Sequence, residues 1–147
     1  MLSIYIDGAC EPFNPGGTAS YGLVVKAQTG LVLHGEAKIV GSGSGISNNV
    51  AEYSALIASI EWHMENCSTE TVCIMSDSLM LVNQMNGIWQ ARRGLYLPYL
   101  LKALKLIEEH KLEGRYSFKW IPREQNWEAD KLSKDILKAR GIRVRGE

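Results

Sequence analysis

The spacing of apolar residues first changes near Asn49, from strand to helix period, and the alternation that follows sets the fold class. Upstream, Leu2, Ile4 and Ile6 alternate with Ser3, Tyr5 and Asp7, which is the period of a strand. CEPFNPGGT then supplies turn chemistry, and SYGLVVKA and LVLHGEAKIV read as two more strands joined at Gln28-Thr29-Gly30. GSGSGIS is a loop too short to link domains. Downstream, Val50, Tyr53, Leu56, Ile57, Ile60 and Met64 recur at helical spacing from about Asn49 to Asn66. TVCIMS follows as a short buried strand, with a helix running through Met85. After the irregular NGIWQARRGLYLP, the residues Tyr99, Leu100, Ala103, Leu104 and Ile107 mark another helix, ended near Gly114. RYSFKWIP is the fifth strand, and a last helix runs from about Gln125 to Ala139.

The order β-β-β-α-β-α-α-β-α predicts an α/β domain. Three leading strands form an antiparallel meander, and helical crossovers bring the later strands in parallel. The expected architecture is a mixed five-stranded sheet with helices on both faces. Residues 1–141 form the domain, and 142–147 a short basic tail. That tail is expected to be mobile, with a short strand through Ile142 and Val144 as the alternative.

A chain of 147 residues is large enough to bury about 70% of its unfolded surface as one unit. Its apolar and charged fractions are those of an ordinary soluble protein, and no long uncharged apolar run suggests a membrane span. Met1 leads almost directly into a strand, so cytoplasmic residence and a monomeric state are expected. Cys10, Cys67 and Cys73 cannot all pair, and no CxxC spacing points to zinc. A Cys67–Cys73 bridge across a turn is conceivable, but free thiols are the expectation. Charge is uneven: residues 1–91 hold Lys26 and Lys38 against eight acids, while residues 92–147 hold fourteen Lys and Arg against eight. The zero net charge thus leaves room for a basic face.

Four acids stand in recognisable frames: Asp7 in IYIDGA, Glu52 in NNVAEY, Asp77 in MSDSLM and Asp130 in NWEADKLS. Each has an ordinary explanation. Asp7 can open a turn, Glu52 can complete a cap begun at Asn49, Asp77 can cap the next helix, and Asp130 can favour a helix dipole. All four together need a stronger reason, because carboxylates brought close raise one another's pKa. Divalent cations supply it, and Mg²⁺ in particular takes carboxylate oxygen with water and phosphate.

With these motifs in this order, and with DGAC followed by NPGG, the chain resembles the type 1 ribonuclease H family from Ile4 to about Ala139. The resemblance implies a ribonuclease H-like fold in which the strand ending at Asp77 lies beside the strand carrying Asp7. It implies that Asp7, Glu52, Asp77 and Asp130 bind two Mg²⁺ or Mn²⁺ ions and serve as the catalytic residues. The implied activity is endonucleolytic hydrolysis of the RNA strand of an RNA–DNA hybrid, leaving 5′-phosphate and 3′-hydroxyl ends. By the same resemblance Gly8, Asn14, Asn48 and Asn49 lie along the minor groove, and Ser47, Ser78 and Arg123 contact substrate. A nuclease that also accepts double-stranded RNA, or a module that binds hybrids without cutting, are the alternatives.

The chain departs from the family pattern in three places. The loop before Asp130 reads IPREQNW and lacks the histidine that many members carry; Arg123 or Glu124 stands there instead. A guanidinium is not a base at ordinary pH, so Arg123 suits phosphate contact. The basic, Trp-rich protrusion of some relatives is reduced to Trp89, Arg92 and Arg93, and affinity is expected instead from Lys131, Lys134, Lys138, Arg140, Arg143 and Arg145 of the last helix and tail. Leu79 stands where relatives often place a polar groove contact. Trp62, Trp120 and Trp127 are expected to be packing residues rather than stacking platforms.

Overall fold

The computed structural model describes residues Met1–Glu147. Its strands are β1 (Leu2–Glu11), β2 (Gly16–Lys26), β3 (Val32–Gly43), β4 (Val72–Ser76) and β5 (Tyr116–Trp120). Its helices are α1 (Asn48–Asn66), α2 (Leu79–Met85), α3 (Leu97–Glu109) and α4 (Trp127–Ala139), the last preceded by a single 3₁₀ turn at Arg123–Asn126. The strands lie in the order β3-β2-β1-β4-β5, antiparallel through β3, β2 and β1 and parallel from β1 to β4 to β5. The mixed five-stranded sheet is therefore the one expected from the sequence.

Strand alternation divides the side chains of β1 and β2 between two faces. Ile4, Ile6, Leu23 and Val25 join Tyr53, Leu56 and Ile60 of α1, Leu81 of α2 and Leu100 of α3 in one large core. On the opposite face α4 lies across β1, β2 and β3. It comes close because Gly22 has no side chain: a Cβ there would sit 2.3 Å from the Ala129 carbonyl oxygen. Ser20 Oγ donates to the Ser133 carbonyl at 2.6 Å, which satisfies buried polar groups at this crossing.

Several local details differ from the sequence reading. Helix α1 is capped by Ser47, whose hydroxyl accepts from the Val50 amide at 3.2 Å, rather than by Asn49. Ser78, not Asp77, caps α2 through the Leu81 amide at 3.2 Å. Both caps free the neighbouring residues for other work, because a cap needs one side-chain oxygen only. Trp62 packs half-buried on the His34 ring at 5.5 Å, but Trp120 and Trp127 are 47% and 60% exposed. Trp120 ends the edge strand β5 and Trp127 begins a helix, and such termini have few neighbours to cover a large ring.

The basic tail is neither a strand nor detached. Val144 is buried with Ala9 and Leu137, and Lys138 pairs with Glu147. All three cysteines are free, Cys10 and Cys73 buried. No helix is long and apolar enough to cross a membrane.

Candidate active site

The parallel register of β1 and β4 runs from Leu2↔Val72 to Ile6↔Ser76. Continued by one residue, it sets Asp7 beside Asp77. Asp7 is 5% exposed and lies on the strand face opposite Ile6. Asp77 follows the end of β4, where Trp120 Nε1 donates to its carbonyl at 3.2 Å and Ser78 N donates to Ser76 Oγ at 3.0 Å.

Glu52 arrives from a different element. It is buried in the second turn of α1, which can press against β1 only because of Gly8. A Cβ at Gly8 would lie 2.6 Å from the Glu52 nitrogen and 2.8 Å from Ala51 Cβ. The close approach brings carboxylate oxygens of Asp7, Glu52 and Asp77 within 4.8 Å of one another. Asp130 is not one of the three mutually close acids but adjoins Asp7, on whose carboxyl it acts, and it pairs with Lys134 Nζ at 3.1 Å one helical turn on and with Arg123 Nη2 at 4.0 Å.

Burial and mutual repulsion both act on these acids. Burial foremost, then the charges of Glu52 and Asp77, raises the Asp7 carboxyl far above the ordinary carboxylate range. Glu52 is raised by burial and then by Asp77. Asp77 is raised by burial, with Arg123 pulling it back down. Glu52 Oε2 is buried without any hydrogen-bond partner. A buried carboxylate oxygen with no donor is costly, so the cluster weakens rather than supports the fold.

A cleft of about 460 Å³ opens above the cluster. Gly8, Asn14, Asn48, Asn49, Ser78, Arg123 and Asp130 line it together with the three clustered acids. Asn14 and Asn48 fix each other: Asn14 Nδ2 donates to Asn48 Oδ1 at 2.8 Å, and the Asn48 amide donates to Asn14 Oδ1 at 3.0 Å. Ser47 lines an adjoining shallower pocket with Asn14, Asn48 and Tyr96, its hydroxyl already engaged as the α1 cap.

Four further residues belong to the site, and of these only Arg145, one of the basic residues of the last helix and tail, is an expected nucleic-acid contact from the sequence. Trp120 lines the cleft and braces Asp77 from behind. Asn126, buried, donates to the Ile6 carbonyl at 2.8 Å and also lowers the Asp77 pKa, tying the turn before α4 to the cluster. Glu11 and Arg145 line the far end of the same cleft. Asn126 carries a local signal in its place in the IPREQNW loop and Arg145 in the basic tail; Trp120 and Glu11 depend on long-range packing.

Residues 6–136 match the family model described as reverse transcriptase-like. Among curated proteins, the bifunctional protein Rv2228c of Mycobacterium tuberculosis is 35% identical over 127 residues. That alignment takes in 86% of this chain but 33% of Rv2228c, so the chain spans about a third of the length of that relative. Among solved structures, LC11-RNase H1 in complex with an RNA/DNA hybrid superposes with a TM-score of 0.83 at 31% identity, covering 95% of this chain and 99% of that one. RNase H1 from the halophilic archaeon Halobacterium salinarum NRC-1 gives a TM-score of 0.79 at 25% identity, covering 94% and 98%. The acids, their frames, the strand order and these likenesses agree, and the chain belongs to the reverse transcriptase-like family, among its type 1 ribonucleases H.

Proposed function

We propose that this chain is a divalent-metal-dependent endonuclease that hydrolyses the RNA strand of RNA–DNA hybrids to 5′-phosphate and 3′-hydroxyl products. One observation carries the reading: the unpartnered, buried Glu52 oxygen within a three-acid cluster at the floor of an amide-lined cleft. Oxygen donors of this kind suit Mg²⁺ or Mn²⁺. Asp7, Glu52, Asp77 and Asp130 would hold two such ions. When bound, the ions supply activation of water and stabilisation of charge on the attacking and leaving oxygens of an in-line displacement.

The chain's own residues do the rest. Asn14 and Asn48 present a preorganised pair of neutral amides, and with Asn49 they suit 2′-hydroxyls across a shallow minor groove. Gly8 admits the substrate backbone close to Asp7 and Glu52. Ser47 and Ser78 offer hydroxyls at the cleft margins, and Arg123, 71% exposed, offers a permanent charge to phosphate. Arg123 and Lys134 also pair with Asp130 beside the cluster. The reading carries with it a cytoplasmic monomer without membrane partners, its domain spanning residues 1–141 with 142–147 as a docked tail.

Leu79 favours a second reading of specificity. It is 49% exposed beside Ser78, so the groove lacks a polar contact there and double-stranded RNA is the competing substrate. The test is cleavage of one labelled sequence as hybrid, double-stranded RNA, single-stranded RNA and DNA duplex, each with Mg²⁺, Mn²⁺ or EDTA. Metal-dependent cutting of the hybrid's RNA strand is expected, and comparable cutting of double-stranded RNA would establish the relaxed reading. Binding of the hybrid with no cutting in either metal would overturn the enzymatic assignment.

A further inference from the structure

At the far end of the cleft, Arg145 is clasped by Glu11. Its Nε donates to Glu11 Oε2 at 2.8 Å, its backbone amide to the same oxygen at 3.1 Å, and its Nη2 to the Cys10 carbonyl at 3.0 Å. The Glu11 side chain is 11% exposed, whereas that of Arg145 is 55% exposed. The guanidinium is therefore oriented from one side and open on the other, with Nη1 engaging no protein group. Glu11 lies four residues beyond Asp7 on the same strand, about 13 Å away at ~3.3 Å per residue. That separation keeps Arg145 off the acid cluster but inside the cleft.

Anchoring the tail does not need this guanidinium. The buried Val144 and the Arg145 backbone amide already hold residues 142–145 to the body. A half-exposed planar fork with spare donors is instead suited to an anionic oxygen pair, which a lysine meets only as a point charge. Resting on the nuclease reading above, we infer that Arg145 contacts a backbone phosphate of the bound duplex away from the scissile bond, with Glu11 as its positioning residue. The tail then extends the substrate groove beyond the metal-binding acids and supplies part of the cationic surface that the reduced Trp89–Arg93 segment does not.

The test is steady-state cleavage of the hybrid across a series of KCl concentrations for the unaltered protein, Arg145→Ala, Arg145→Lys and Glu11→Gln. Arg145→Ala keeps the backbone bond to Glu11 and the Val144 contact, so the protein should still fold, with Tm lowered only by the loss of the ion pair to Glu11. Its KM is expected to rise several-fold with kcat preserved, and the slope of log KM against log salt to fall by about 0.9. Arg145→Lys should restore the slope but only part of the KM. Glu11→Gln should raise KM while leaving the slope in place, because the charge remains but its aim is lost. An unchanged slope in Arg145→Ala, whatever happens to Tm, would overturn the inference while cleavage by the unaltered protein kept the nuclease reading intact. Failure of the unaltered protein to cut any hybrid would instead remove that reading and this one with it.

Discussion

On the face of the sheet covered by α1, α2 and α3, eighteen buried apolar residues form one continuous core. On the face covered by α4, the apolar cluster is only Ala9, Leu137 and Val144, and the helix is fastened by hydrogen bonds from Ser20 and Asn126. Strand β1 serves both: Ile4 and Ile6 point into the large core, while Asp7 points to the other side. The acids thus gather where the two faces meet, Asp7 from the α4 side of β1 and Glu52 from α1 on the core side. Apolar burial at ~25 cal/mol per Å² sustains the first face and offsets the cost of holding unpaired acids at the margin of the second.

The largest expected effect separates the acids from the core outright. Asp77→Asn should reduce cleavage to the level of the EDTA control while leaving the metal-free protein equally stable or more so, because one repelling charge is removed. A substantial drop in Tm would show Asp77 to be structural and collapse the distinction. Leu56→Ala should behave in the opposite way. It empties part of the large core, at a cost of about 2–5 kcal/mol in urea denaturation, with cleavage retained well below the new Tm. Loss of cleavage there without loss of stability would mean that the core positions the acids directly.

Gly22→Ala tests the sparse face. Its Cβ would meet the Ala129 carbonyl, which is backbone, so α4 must shift and carry Asn126 and Asp130 with it. About 1–3 kcal/mol of stability and a clear fall in cleavage are expected together. A variant that cuts normally would mean that α4 has more freedom than its hydrogen bonds suggest.

The smallest effect concerns pH. Asp7 and Glu52 bind protons more tightly in the metal-free fold than in the unfolded chain. Their contribution is complete below the unfolded carboxylate pKa near 4 and is lost as pH rises through their raised folded values. Melting curves in EDTA should therefore lose ground between pH 5 and pH 8 relative to Asp7→Asn, and Mg²⁺ or Mn²⁺ should recover a few degrees more at pH 8 than at pH 5. Equal metal stabilisation at both pH values would argue that these acids are not the ones that meet the ion.

Much of this arrangement was legible in the sequence, for local reasons. Alternation at Leu2–Asp7 placed Asp7 opposite the aliphatic residues, and the helical spacing of Val50, Tyr53 and Leu56 placed the core side of α1. The capping alternatives for Asn49 and Asp77 do not hold, because serine, asparagine and aspartate compete for the same terminal amides and Ser47 and Ser78 hold them. The exposure of Trp120 and Trp127 escaped because a large aromatic residue carries the same apolar signal at an element's end as in its middle.

By itself the sequence determined the order of strands and helices, the α/β class and the four framed acids, since each follows from spacing over a few residues. Tertiary structure alone decided which groups meet. The in-step pairing of β1 with β4 sets Asp7 beside Asp77, the missing Cβ of Gly8 admits Glu52, and the docked tail brings Arg145 to Glu11 across 134 residues of chain. Strand register, close approach and burial are properties of the whole packed chain, so no local pattern records them.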